Sequence, residues 1–209
     1  MLIDSERISS RVTAAALHEA GIEISAAEVC DRFLGVSTAE MLQALEVEHR
    51  CRPPESFRER LRERVLQAFE HDLQPVPGVP ALLDALTLDR CVASSSHPDR
   101  IHCSLRVTGL LDRLAPHLFS ATMVDRGKPA PDLFLLAAAA MAAEPRRCLV
   151  VEDSEVGVRA GKAAGMRVFG FAGASHVDAA KHAPRLRAAG ADAVFTEMAV
   201  LADLVDRAD

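Results

Sequence analysis

Gly127-Lys128-Pro129-Ala130-Pro131-Asp132, followed after a helix-like run by Cys148-Leu149-Val150-Val151-Glu152-Asp153-Ser154-Glu155-Val156-Gly157, decides the fold. The first segment holds a lysine in a proline-flanked loop. The second is a short apolar strand that ends in two adjacent carboxylates and runs into a helix. In a parallel α/β sheet, ligands bind at the carboxyl ends of the strands. A cation suited to phosphate and a carboxylate pair suited to Mg²⁺ are therefore expected on one rim.

Working outward, short apolar runs alternate with helical ones. Strands are expected at Arg90 to Ser94, Leu118 to Ser120, Cys148 to Val151, Met166 to Phe171 and Ala191 to Phe195. Helices are expected at His97 to Val107, Asp132 to Ala142, Glu155 to Ala164 (closed by Gly165), Val177 to Ala189 and the C-terminus. This alternation specifies a parallel sheet with helices on both faces. Residues 9 to 73 read differently, as almost continuous helix. Ser25-Ala26-Ala27-Glu28 and Ser37-Thr38-Ala39-Glu40 both match a capping box, in which side chains satisfy the orphan amides of a first turn. Pro53-Pro54 interrupts the run, a further helix spans roughly Glu55 to His71, and Pro75-Val76-Pro77-Gly78-Val79-Pro80 forms a rigid junction. A helical domain over 8–74 and an α/β domain over 1–7 and 75–209 follow.

The 209 residues are 49% hydrophobic, enough for a sizeable core, and carry a net charge of −6. No basic run argues for nucleic acid or an anionic membrane surface. No apolar run reaches the roughly 20 residues of a membrane span, and Asp4, Glu6 and Arg7 interrupt any early apolar stretch. The five cysteines, Cys30, Cys51, Cys91, Cys103 and Cys148, are scattered and include no Cys-x-x-Cys pair. That pattern fits reduced thiols in a cytoplasmic protein.

Three groups fall at the expected strand ends. Ser94-Ser95-Ser96 could cradle a phosphate with hydroxyls and free amides, or could simply cap the helix beginning near His97. Lys128 is constrained by its loop. Glu152 and Asp153 would repel one another without a compensating cation or donors, although Asp153 or Ser154 could also serve as a helix cap. His97 follows the serine run and could reach phosphate, or could be a solvated helix-start residue; His176, in a loop near the rim, has no role by sequence.

The set Ser94, Gly127-Lys128-Pro129-Ala130-Pro131-Asp132 and Val151-Glu152-Asp153-Ser154-x-x-Gly157 resembles motifs II, III and IV of the haloacid dehalogenase (HAD) superfamily. The nearest branch is the β-phosphoglucomutase-like and 6-phosphogluconate phosphatase-like group. Phe33-Leu34-Gly35-Val36-Ser37 resembles the substrate loop of that group's helical cap, and Leu2-Ile3-Asp4-Ser5-Glu6 resembles the tail of motif I. The resemblance implies a Rossmannoid parallel-sheet core with a small α-helical cap. It implies Mg²⁺ held by Glu152 and Asp153, phosphate bound by Ser94, Ser95 and Lys128, catalytic roles for Lys128 and Ser94, and substrate contacts from Gly35, Val36 and Ser37.

The family's motif I carries an Asp-x-Asp pair, the first aspartate a nucleophile and the second a general acid and base. That pair is not in this chain, and Asp4 is too far along the motif to substitute. The resemblance runs unbroken to Leu2, so the natural product is expected to extend upstream, and the first, central core strand is expected to be absent from these residues. Its neighbours would then have to close up, or another segment fill the gap. The activity implied is a Mg²⁺-dependent phosphatase of small phosphorylated metabolites, sugar or sugar-acid phosphates. Phosphomutases of the group carry an arginine just after the Gly-Val-Ser of the cap loop, where this chain has Thr38; Arg32 could compensate. A phosphomutase and a non-catalytic binder of phosphate and metal are the competing readings.

Overall fold

The computed structural model describes residues 1–34 and 36–206. Four helices come first: α1 (Glu6–Glu19), α2 (Ala26–Phe33), α3 (Thr38–His49) and α4 (Phe57–Asp72). Both capping boxes form. Ser25 accepts from the Glu28 amide while Glu28 reaches back to the Ser25 amide, and Ser37 and Glu40 do the same for α3. The four helices bury their own apolar cluster, with Leu17, Ile22, Leu45 and Phe69 almost fully enclosed.

The remainder alternates as the sequence predicts. It contains α5 (Val79–Ala85), β1 (Val92–Ser94), α6 (Pro98–Val107), α7 (Leu111–Leu114), β2 (Leu118–Ser120) and α8 (Asp132–Ala140). These are followed by β3 (Leu149–Glu152), α9 (Glu155–Ala163), β4 (Arg167–Phe171), α10 (Ala179–Ala188), β5 (Ala193–Phe195) and α11 (Leu201–Asp206). All strand pairs are parallel, as helical crossovers require. Beyond α9, Gly165 takes a left-handed φ of 74° and its amide bonds back to Lys162, which closes the helix as expected. The two parts of the chain meet through α4 and α6. Arg106 pairs with Glu70, Arg100 lies over the Phe69 ring, and Arg62 pairs with Asp99.

The sheet is divided. Among the described residues β1 pairs only with β2, and β3 only with β4, which pairs on with β5. The unpaired sides of β1 (Val92 to Ser94) and β3 (Leu149 to Asp153) both line a cavity of about 1320 Å³ that also reaches the helical part of the chain at Val36 to Thr38. The neighbouring strands have therefore not closed up. Residues 1–3 line the same cavity but pair elsewhere. Ile3 bridges antiparallel to Pro75, and Leu2 accepts from the Val76 amide at 3.0 Å.

Candidate active site

Lys128 comes from the loop between β2 and α8 and is buried, its side chain only 6% exposed. Its Nζ donates to the Ala93 carbonyl of β1 at 3.1 Å and also to Oε1 of Glu152, at the end of β3. The lysine thus spans the divided sheet. Its ammonium lies 4.6 Å from the centre of the Phe134 ring, a cation–π contact that strengthens where water is excluded. Glu152 is equally enclosed, and its other oxygen accepts from the Ser154 hydroxyl at 3.1 Å and the Asp153 amide at 3.2 Å.

Asp153 points differently. Ser154 is the cap of α9, accepting from the Gly157 amide at 3.1 Å, so the Asp153 carboxylate is free of that duty. Its Oδ2 lies 2.7 Å from the Met1 ammonium. Burial acts to raise the Asp153 carboxyl, but the Met1 ammonium, then His176 and Lys128, outweigh it and hold the group below the ordinary carboxylate range. The Met1 ammonium sits above its ordinary value, because Asp153 more than offsets the effect of burial.

Ser94 ends β1 facing the same cavity, its Oγ accepting from the Ser96 amide at 3.1 Å. The hydroxyl proton remains available to a ligand. Ser95 is exposed on the same turn. The serines do not cap α6: that helix starts at Pro98 after His97, with no side-chain cap. Lys128, Ser94, Glu152 and Asp153 therefore converge at the carboxyl ends of β1 and β3.

A family model for haloacid dehalogenase-like hydrolases matches residues 2–165. The chain belongs to this family. It is 34% identical over 176 residues to the 6-phosphogluconate phosphatase of Escherichia coli, covering 84% of this chain and 80% of the relative. Among solved structures, a conserved haloacid dehalogenase-like protein of unknown function from Agrobacterium tumefaciens superposes with a TM-score of 0.85 at 38% identity, over 99% of this chain and 94% of the other. A HAD family hydrolase from Deinococcus radiodurans, crystallised with bound phosphate and sodium, superposes with a TM-score of 0.79 at 32% identity, over 99% and 91% of the two chains.

In this HAD-like fold Gly157 has a direct reason. A Cβ there would lie 2.1 Å from Cδ of Glu152, so the buried carboxylate occupies the space a side chain would need. Gly157→Ala is expected to displace Glu152 from Lys128 and lower stability by about 1–3 kcal/mol, read as a shift of the urea midpoint at constant slope. An unchanged midpoint would mean that Glu152 relaxes freely.

Of the cap-loop residues, Val36, Ser37 and Thr38 line the large cavity opposite Ser94 and Lys128; Gly35 lies outside the described residues. The Ser37 side chain is engaged in its capping box. Arg32 pairs with Glu48 at 2.5 Å and is not among the residues that line the cavity. His97 is half-exposed, 3.7 Å from Asp99. Two residues near Asp153 were given no role by sequence, His182 unnoticed and His176 noted only as a loop residue near the rim. His182 on α10 is buried and its Nε2 lies 2.7 Å from the Asp153 carbonyl oxygen. His176 is buried close to the same group. Their positions follow from tertiary packing, and only the proximity of His176 to a strand end hinted at it.

Proposed function

We propose that this chain forms the phosphate- and metal-holding part of a Mg²⁺-dependent phosphatase of small phosphorylated metabolites, sugar or sugar-acid phosphates. In this reading residues 8–74 are the cap, and 1–7 with 75–209 are the core. The observation that carries it is the convergence of Lys128, Ser94 and Asp153 on one cavity at the strand ends.

The donor set fits Mg²⁺. This ion keeps several waters and is held by one or two carboxylates together with substrate phosphate. Asp153 presents its carboxylate to the cavity at the end of β3. When bound, the metal would neutralise charge on the transferring phosphoryl group. Asp153 would hold it, with Glu152 acting directly or through water. Lys128 would lie against the phosphoryl oxygens, and Ser94 would donate a hydrogen bond to one of them. Such preorganised positioning accounts for most of the catalysis in phosphoryl transfer. The nucleophile in this account is an aspartate on a strand lying between β1 and β3, and no Asp-x-Asp pair occurs among residues 1–209. Hydrolysis is favoured over a mutase reaction because Thr38 offers no fork for a second phosphate.

The test is a calorimetric Mg²⁺ titration of this chain beside Asp153→Asn. Saturable one-site binding that weakens at least tenfold in the variant is expected. Equal affinity in both would remove Asp153 as the metal's holder.

A further inference from the structure

Among the described residues, the buried side-chain polar atoms without a hydrogen-bond partner are Oδ1 of Asp4 and both ring nitrogens of His176. The His176 side chain is only 4% exposed, and its Nδ1 stands 3.8 Å from Oδ1 of Asp4. A buried donor and acceptor left unmade cost free energy. Here they face one another beyond bonding distance by only about 1 Å. A small displacement would satisfy both.

The two residues come from elements with different duties. Asp4 lies in the linker that leads into α1, where its amide bonds to the Gln74 carbonyl at 3.1 Å beside the Ile3–Pro75 bridge. His176 lies between β4 and α10. That segment is pinned at its start, where the Ala172 amide bonds to the Phe195 carbonyl at 2.8 Å. The Thr196 carbonyl also packs so close to Gly173 that a Cβ would lie 1.8 Å from it. Its far end is α10, whose His182 contacts the Asp153 carbonyl oxygen at 2.7 Å. One short segment therefore touches the linker through His176 and the Asp153 backbone through His182.

We propose that His176 is a positioning residue: with Asp4 it fastens the linker of the helical layer to the rim segment that orients Asp153, coupling the placement of that layer to the cation affinity of Asp153. The Nδ1–H donates to the Asp4 carboxylate, and closing this bond draws the linker onto the rim. The inference rests on reading Asp153 as the Mg²⁺ holder. Outer-shell partners of this kind are worth roughly tenfold or more in metal affinity.

The experiment titrates Mg²⁺ into the unaltered chain, His176→Phe, His176→Asn, Asp4→Ala and the double variant His176→Phe/Asp4→Ala, with a thermal midpoint recorded for each. His176→Phe and Asp4→Ala should each weaken Mg²⁺ binding about tenfold. The double variant should be no weaker than either alone, and His176→Asn, which keeps an N–H near the Nδ1 position, should recover most of the affinity. A merely structural histidine would move the thermal midpoint and leave Mg²⁺ affinity alone. Unchanged affinity in His176→Phe, with loss in Asp153→Asn, overturns this inference and spares the metal site. Absence of Mg²⁺ binding by the unaltered chain overturns both, with the metal site itself at fault.

Discussion

Lys128→Met should lower the stability of this chain by about 3–5 kcal/mol, the range for removing one partner of a buried ion pair. At this chain length that corresponds to a fall in thermal midpoint of roughly 10 °C. Lys128 donates both to the Ala93 carbonyl of β1 and to Glu152 of β3. Its loss leaves the Glu152 carboxylate enclosed without a counter-charge and removes a strut between the two halves of the divided sheet. Glu152 cannot readily escape to water, because Ser154 and the Asp153 amide also hold it. The control is Lys128→Met combined with Glu152→Gln, which removes the uncompensated charge and should recover more than half of the lost stability. A surface lysine of ordinary worth would cost no more than about 1 kcal/mol, so a small effect of Lys128→Met would mean that the pair is open to solvent. Phosphate binding should be lost in both variants, since neither retains the cation.

The second large effect concerns the gap. β1 and β3 each present an unpaired side to one cavity of about 1320 Å³. Val92, Leu149 and Val151 lie along it, and Leu83 and Leu105 line its wall. An extended apolar strand placed there would pair its backbone with both neighbours and bury its side chains, the physics of β-augmentation. Each backbone group now left without a partner and shielded from water costs about 1–3 kcal/mol. A version of the chain carrying an apolar strand that ends in Asp-x-Asp-Gly ahead of Met1 should therefore have a higher thermal midpoint. The amides of β1 and β3 should also exchange more slowly in it. The first aspartate would lie between Ser94 and Asp153, and the strand would carry the Met1 amine away from Asp153.

Much of this was legible in the chain. The Ser25–Glu28 and Ser37–Glu40 boxes were readable because a capping box is a local device whose partners lie within one turn. Leu118–Ser120 appears as a strand at the expected residues, and β1 begins at Val92 rather than Arg90. Arg90 instead turns its guanidinium onto the Leu83 and Leu86 carbonyls, a contact no strand periodicity could reveal. That Lys128 and Glu152 share one rim was expected from the sequence; their direct ion pair was not. Nor were the lysine's bond to the Ala93 carbonyl and its seat over Phe134, because they depend on how α8 packs against β1. The roles of the serines at 94–96 and of Ser154 were open by sequence, since a hydroxyl before a helix suits either a cap or a ligand. The structure separates them: Ser154 caps α9, and no serine caps α6. The place of His176 near the rim was legible, but no role for it was, because its partner Asp4 lies far away in sequence. That a central strand lies outside these residues was expected from the resemblance of Leu2 to Glu6 to the tail of the family's motif I. That the neighbours stand apart around a cavity, rather than closing up, required the fold.

The most direct test of the account measures Mg²⁺-dependent hydrolysis of p-nitrophenyl phosphate by the 209-residue chain and by the version extended with the Asp-x-Asp strand. Turnover is expected only in the extended protein, higher by on the order of a thousandfold or more, as is typical when a nucleophile acts within an otherwise assembled site. That turnover should be lost again on Asp153→Asn. Robust, metal-dependent turnover by the 209 residues alone, or an extended protein that pairs its strand and remains inert, would contradict it.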